Sequence, residues 1–119
     1  SETKELLLLA AKAADLKVEW YEERHEYRKS IKSGAGFYIK HGPYLITWCP
    51  DIDDGDSARL RTCLLLNEKW NGYSVAVHEF DNDYLHKESH DGEEDSKNAA
   101  LRLATLKCAA EIGRRMGDE

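Results

Sequence analysis

The sequence lacks the long apolar run that a membrane-spanning helix requires. Its longest uninterrupted apolar stretch extends from Leu6 to Ala11, whereas about 20 such residues are needed to cross a bilayer. A basic segment followed by an apolar one, the pattern of a secretory signal, is also missing. We therefore expect no membrane association and a location in the cytoplasm.

Cysteine is scarce, and its placement excludes a disulfide framework. The three cysteines, Cys49, Cys63 and Cys108, are odd in number and far apart in the chain. Small proteins that depend on disulfides usually carry an even number of more closely spaced cysteines. We predict three free thiols in a reducing compartment, with Cys63 and Cys108 packed as small apolar residues on the inner faces of helices.

An excess of positive charge is also missing. The chain has 17 Lys and Arg against 23 Asp and Glu, which gives a formal net charge of −6. Proteins that coat a nucleic-acid duplex normally present a basic face to the phosphates. The charge balance therefore disfavours nucleic acid as a partner.

Catalytic motifs are absent as well. The sequence contains no Gly-x-Ser-x-Gly elbow, no phosphate-binding Gly-rich loop and no Cys-x-x-Cys pair. The acidic turn 51–56 departs from a calcium-binding loop, because Gly55 is fifth rather than sixth and Thr62 stands where a glutamate is needed. We expect these carboxylates to cap a helix. The protein is thus predicted to be no enzyme and to need no cofactor.

The apolar pattern predicts one domain over residues 1–119, without an internal repeat. The first half consists of a helix capped by Thr3, a strand at Val18 and Trp20, and a hairpin of two strands, 37–39 and 44–48. The second half consists of a helix from Asp56 or Ser57 to about Lys69, a strand at 73–77 and a last helix from Asp95 or Ser96. We predict an α+β fold, with a mainly antiparallel sheet of about three to five strands packed by three helices in α-β-α layers. Flexible segments are expected near 22–35 and 79–95, and the second could include a short strand at Tyr84-Leu85-His86.

Several short motifs carry a resemblance to a known family. They are the alanine-rich stretch 8–14, Val18-Glu19-Trp20, Trp48 with Pro50, Asp54-Gly55-Asp56 leading into Ala58-Arg59-Leu60, and the segments 99–102 and 109–113. Together they resemble the small phage- and prophage-encoded proteins of the phage ABA sandwich family. The resemblance implies α-β-α layers, a phage accessory role and, with it, the cytoplasm of a bacterial host. It carries no catalytic residues.

The segment 79–95 is strongly acidic. It holds eight acidic residues and one lysine, a net charge of −7, so the remainder of the chain is nearly neutral. Such a segment is usually a solvated loop, but it can also steer a basic partner. Our leading hypothesis is a non-enzymatic phage accessory protein that binds a host or phage protein with a basic surface, and whose binding could inhibit a host system. The residues expected to bind this partner are Asp81, Asp83, Tyr84, Leu85, Glu88, Asp91, Glu93 and Glu94.

Two alternatives belong to other function classes. A small metal-dependent enzyme could use His86 and His90, which would share one face if the segment were helical. A nucleic-acid-binding regulator could instead use the basic residues Arg24, Arg28, Lys29 and Lys32 together with the last helix.

Overall fold

The computed structural model describes residues 2–22, 35–80 and 85–117. These form three helices and six strands in the order helix, three strands, helix, three strands, helix. The elements are α1 (Glu2–Ala13), β1 (Val18–Tyr21), β2 (Gly36–His41), β3 (Tyr44–Trp48), α2 (Asp54–Leu64), β4 (Leu66–Asn71), β5 (Ser74–Glu79), β6 (Leu85–Ser89) and α3 (Glu94–Arg115). The predicted α+β class with three helices and antiparallel strands is confirmed.

The strands form two sheets rather than one. The first sheet has the order β1-β2-β3 and the second has the order β4-β5-β6, and every pairing is antiparallel. Each sheet is followed by a helix, so the topology repeats a unit of three strands and a helix after α1. The sequence analysis found no repeat because the two units share topology while their residues differ.

One face of the first sheet reaches the core. Phe37 and Trp48 are partners across β2 and β3, and both are buried against α1, α2 and α3. Trp20, opposite Phe37 on β1, meets the Phe37 ring edge-on at 4.9 Å. Period-two alternation thus places the large apolar side chains of all three strands on the same face.

Helices α1 and α3 pack through small residues. Ala10 and Ala11 of α1 and Ala109 and Ala110 of α3 are buried, and Gly113 lies against the backbone of Leu9. The Lys12 ammonium donates a hydrogen bond to the carbonyl of Gly117 just beyond α3. In the described part of the chain, no helix has both the length and the apolar character needed to cross a membrane.

Helix α2 is shorter than the sequence analysis predicted. It begins at Asp54, two residues before the predicted start, and ends at Leu64 rather than near Lys69. Residues Leu66–Asn71 form β4 and pair with β5 through a turn at Gly72. In this strand Trp70 is the register partner of the buried Val75 and is itself 40% exposed.

The cysteines match part of the prediction. All three lie in described segments, and none forms a disulfide. Cys108 is buried on α3 as predicted, whereas Cys63 is exposed. The inner face of α2 is instead occupied by Ser57 and Leu60.

Candidate functional site

The acidic turn before α2 caps that helix, as the sequence analysis predicted. Asp53 is the N-cap residue, and its carboxylate accepts a hydrogen bond from the backbone N–H of Asp56 at 2.8 Å. The Asp56 carboxylate is buried and accepts from the N–H of Cys49 at 2.9 Å and from the Arg59 guanidinium at 2.6 Å. These carboxylates satisfy donors at the start of the helix.

Arg102 of α3 binds the same turn and so links it to α3. Its Nε donates to the carbonyl of Asp51 at 3.0 Å, and its Nη1 lies 2.6 Å from the Asp54 carboxylate. The Asp51 side chain is less well satisfied, because its Oδ1 is buried without a hydrogen bond from the described atoms. Burial is the main cause that raises the pKa of Asp51 above its ordinary value.

The residues expected to bind a partner fall into three groups. Asp81, Asp83 and Tyr84 lie outside the described residues, as does the basic group at 24–32. Leu85 and Glu88 belong to β6, and Asp91, Glu93 and Glu94 lie at the junction between β6 and α3. The expected acidic loop 79–95 therefore contains a five-residue strand, Leu85–Ser89, and the first turn of α3.

Not all of these side chains are available to a partner. The Glu88 carboxylate lies 3.0 Å from the Lys107 ammonium of α3, and its side chain is only 21% exposed. Asp91 accepts a hydrogen bond from the N–H of Glu93. Leu85 is 50% exposed, and Glu93 and Glu94 are exposed at the start of α3. Leu85, Glu93 and Glu94 are thus the best-placed described members of the expected set.

A shallow apolar groove opens where β5 ends, at the opposite end of β4 from Gly72 and Glu94. Its volume is about 650 Å³, and its walls come from the outer side of α2, the start of β4 and the residue after β5: Ala58, Arg61, Thr62, Leu65, Leu66, Asn67 and Phe80. Leu65 is 73% exposed and Phe80 is 75% exposed. Leu65 precedes and Phe80 follows the outermost register pair between β4 and β5, which is Leu66 with Glu79. Two large apolar side chains that are mostly exposed therefore line the same groove. We call these seven residues the Leu65–Phe80 groove.

Leu65 also has an unfavourable backbone conformation. It is the C-cap residue of α2 with φ 56° and ψ 44°, in the left-handed region, and its N–H bonds to the carbonyls of Arg61 and Thr62. Glycine is strongly favoured at such a position, and a bulky residue there is strained. The chain thus keeps a leucine where glycine would fit better and where the side chain gains little burial.

Arg61 forms the polar wall of the groove. Its Nη1 donates to Ser57 Oγ at 2.7 Å and to Thr105 Oγ1 at 3.0 Å, and its Nε lies 3.4 Å from the Glu68 carboxylate. Burial is the main cause that lowers the pKa of Arg61 from its ordinary value, although the side chain remains a cation. This network fixes the position of α2 against α3 and β4 and so shapes the groove.

The geometry required by the metal alternative is not formed. His86 lies on β6, and His90 follows that strand, so the chain is extended where a shared helical face was needed. Four residues of extended chain span about 13 Å, too far for two ligands of one zinc ion. Burial and the charge of Lys107 lower the pKa of His86. In the described segments, no group of three or more His, Cys, Asp or Glu side chains is arranged to hold a metal.

The sequence analysis missed the Leu65–Phe80 groove. Leu64, Leu65 and Leu66 form a leucine triplet, and successive residues of a helix cannot all face the core. The triplet therefore indicates that at least one of these leucines lies outside the core. Phe80, between Glu79 and Asp81, is a second signal, because a lone phenylalanine among acidic residues has no apolar neighbour in sequence.

Comparison with known proteins adds no relative. No family model matches the chain. No curated protein and no solved structure matches it either.

Proposed function

We propose that this chain is a non-enzymatic protein that binds another protein through the Leu65–Phe80 groove. The observation that carries the proposal is the joint exposure of Leu65 and Phe80, which are 73% and 75% exposed and line the same groove. Exposed apolar patches of this kind mark interaction surfaces. The strain at Leu65 adds support, because strained residues persist where function requires their side chain.

The chemistry of the partner follows from the surroundings of the groove. The segment 79–95 carries a net charge of −7. Phe80 belongs to this segment and directly follows β5. An apolar groove in a protein whose negative charge is concentrated in one segment favours a partner segment in which a large apolar side chain is flanked by Lys or Arg. The apolar anchor would contribute most of the affinity. The charges would raise the association rate and determine which partner is selected.

The biological setting is proposed on the resemblance alone. The phage ABA sandwich family implies a phage accessory role, in which the bound partner would be a host or phage protein. Inhibition of a host system is one consequence of such binding.

A displayed peptide library tests the proposal directly. The wild-type protein is used as bait against random 16-residue peptides, alongside the double variant Leu65→Gly/Phe80→Ser. A matched control replaces Tyr44, an exposed side chain on β3 outside the groove, by Ser. We expect the wild type and the control to enrich peptides with an aromatic or aliphatic residue next to Lys or Arg. Equal enrichment by the double variant would refute the proposal.

A further inference from the structure

A second concave site lies on the opposite side of α2, between that helix and the first sheet. It is a cavity of about 410 Å³ whose apolar walls come from Ala14, Leu16, Ile39, Ile46, Leu60 and Cys63. This volume falls within the range of small-molecule sites in proteins. The cavity shares no lining residue with the Leu65–Phe80 groove.

The register of the first sheet explains why this space is apolar. Ile39 and Ile46 are partners across β2 and β3, two residues along from the Phe37–Trp48 pair. Side chains two apart on a strand share a face, so all four point to the same side. Phe37 and Trp48 are packed into the core, whereas the two isoleucines are only half-buried and line the cavity. Filling the cavity would bury apolar surface that the fold leaves partly open.

One end of the cavity is polar but already charge-balanced. Asp56 and Arg59 both line it, and their side chains pair at 2.6 Å, with Asp56 5% and Arg59 66% exposed. A charged ligand would have to compete with this existing pair, whose Arg59 also lies 3.8 Å from the Asp53 carboxylate. An uncharged ligand need not break the pairing and can still form a hydrogen bond with the ion pair.

We propose that this cavity is a binding site for a small, uncharged, mainly apolar molecule with a single hydrogen-bonding group. A cavity of 150 Å³ holds benzene, so 410 Å³ corresponds to a molecule of roughly 15 non-hydrogen atoms. The apolar ring or chain occupies the space between α2 and the Ile39–Ile46 pair. The hydrogen-bonding group lies at the Asp56–Arg59 end.

A charge series on one ring system tests this assignment. The probes are the uncharged 2-naphthalenemethanol, the carboxylate of 2-naphthaleneacetic acid and the cationic 2-naphthylmethylamine. Each is titrated into the full chain by calorimetry at neutral pH. Amide NMR shifts locate the bound probe. We expect the alcohol to bind 1:1 and at least roughly tenfold more tightly than either charged probe. The shifts should centre on residues 14–16, 39, 46 and 60–63. Absence of saturable binding of the alcohol, equal affinity for all three probes, or shifts centred elsewhere would overturn the proposal.

Variants separate this cavity from non-specific adsorption. Cys63→Phe and Ile46→Phe place extra volume in the cavity and should weaken binding of the alcohol at least roughly tenfold. Met116→Phe, an exposed position beyond α3, is the matched control and should leave the affinity unchanged. Arg59→Gln leaves Asp56 without its cation and should turn the preference toward the amine. If Cys63→Phe and Ile46→Phe do not fold, the test of the binding site rests on Arg59→Gln. Failure of this variant to prefer the amine would refute the assignment.

Discussion

The α-carbon of Gly113 faces the carbonyl group of Leu9 at the crossing of α3 and α1. A Cβ added at Gly113 would stand 2.0 Å from the Leu9 carbonyl oxygen and 2.8 Å from its carbon. Because the obstacle is backbone, no side-chain rotation can relieve the clash. In the sequence Gly113 looks like a residue that weakens the last turns of a helix, but in the structure it allows two helices to approach closely.

Gly113→Ala is therefore expected to destabilise the protein by about 2 kcal/mol, because overpacking outweighs the better helix propensity of alanine. Chemical denaturation monitored by circular dichroism measures the free energy of unfolding. Gly72→Ala is the matched control, since an added Cβ there has no atom within 4 Å and the φ angle is not in the left-handed region. Equal stability of the two variants would contradict the close approach of α1 and α3.

Leu65→Gly should raise stability while it weakens partner binding. Glycine relieves the left-handed strain at φ 56°, a gain of about 0.5–1 kcal/mol after its own entropy cost. The same change removes an apolar wall of the Leu65–Phe80 groove. Thermal unfolding and the affinity for an enriched peptide measure the two effects. Leu64→Gly, at the last residue of α2, is the control and should lower the stability of the protein instead. A loss of stability in Leu65→Gly would show that the leucine is kept for packing.

Charge and apolar contact should act on different rate constants of partner binding. Replacing Glu93 and Glu94, which are exposed at the start of α3, by glutamine should slow association with an enriched basic peptide several-fold at low salt. Phe80→Ser should instead speed dissociation. Surface plasmon resonance across a salt series separates the two constants. Association that is indifferent both to salt and to the Glu93→Gln/Glu94→Gln change would leave the acidic segment without a role in binding.

The three thiols should differ strongly in reactivity. Cys63 is exposed, whereas Cys108 is buried and burial raises the pKa of its thiol to about 11. At pH 8 the Cys108 thiolate fraction is roughly a hundredfold below that of an ordinary cysteine. Iodoacetamide labelling followed by mass spectrometry should modify Cys63 first and Cys108 only after unfolding. Rapid labelling of Cys108 in the folded protein would contradict its burial in α3.

Asp51→Asn should raise stability at neutral pH and have little effect near pH 3. Burial raises the pKa of Asp51 above its ordinary value of 3.8, so between pH 3.8 and the folded-state pKa the folded protein binds more protons than the unfolded chain. Stability from this group is therefore present below pH 3.8 and decreases as the pH rises through the folded-state pKa. Unfolding free energies of both proteins from pH 3 to 7 test the sign. Asp95→Asn, an exposed change of the same charge, should not reproduce the pH-dependent gain.

Some features followed from local sequence alone. The alternation of large apolar residues predicts the hairpin, and Asp53 to Asp56 predict a capped helix, because strand periodicity and N-cap hydrogen bonds involve residues only a few positions apart. The α+β class and the absence of disulfides follow from pattern and composition. The start of the last helix was predicted to within two residues, but the expected cap residues Asp95 and Ser96 lie inside α3, whose N-cap is Glu93.

Other features depend on contacts between distant parts of the chain, and only the tertiary structure decided them. The division of six strands into two sheets depends on which strands pair, and α2 ends at Leu64 because the chain turns at Leu65 into β4, which pairs with β5. Cys63 is exposed because it borders the open cavity between α2 and the first sheet. The Leu65–Phe80 groove combines the end of a helix with the end of a strand that are fifteen residues apart. Periodicity within one segment contains no information about such pairings, because the free energy that selects them comes from burial between segments.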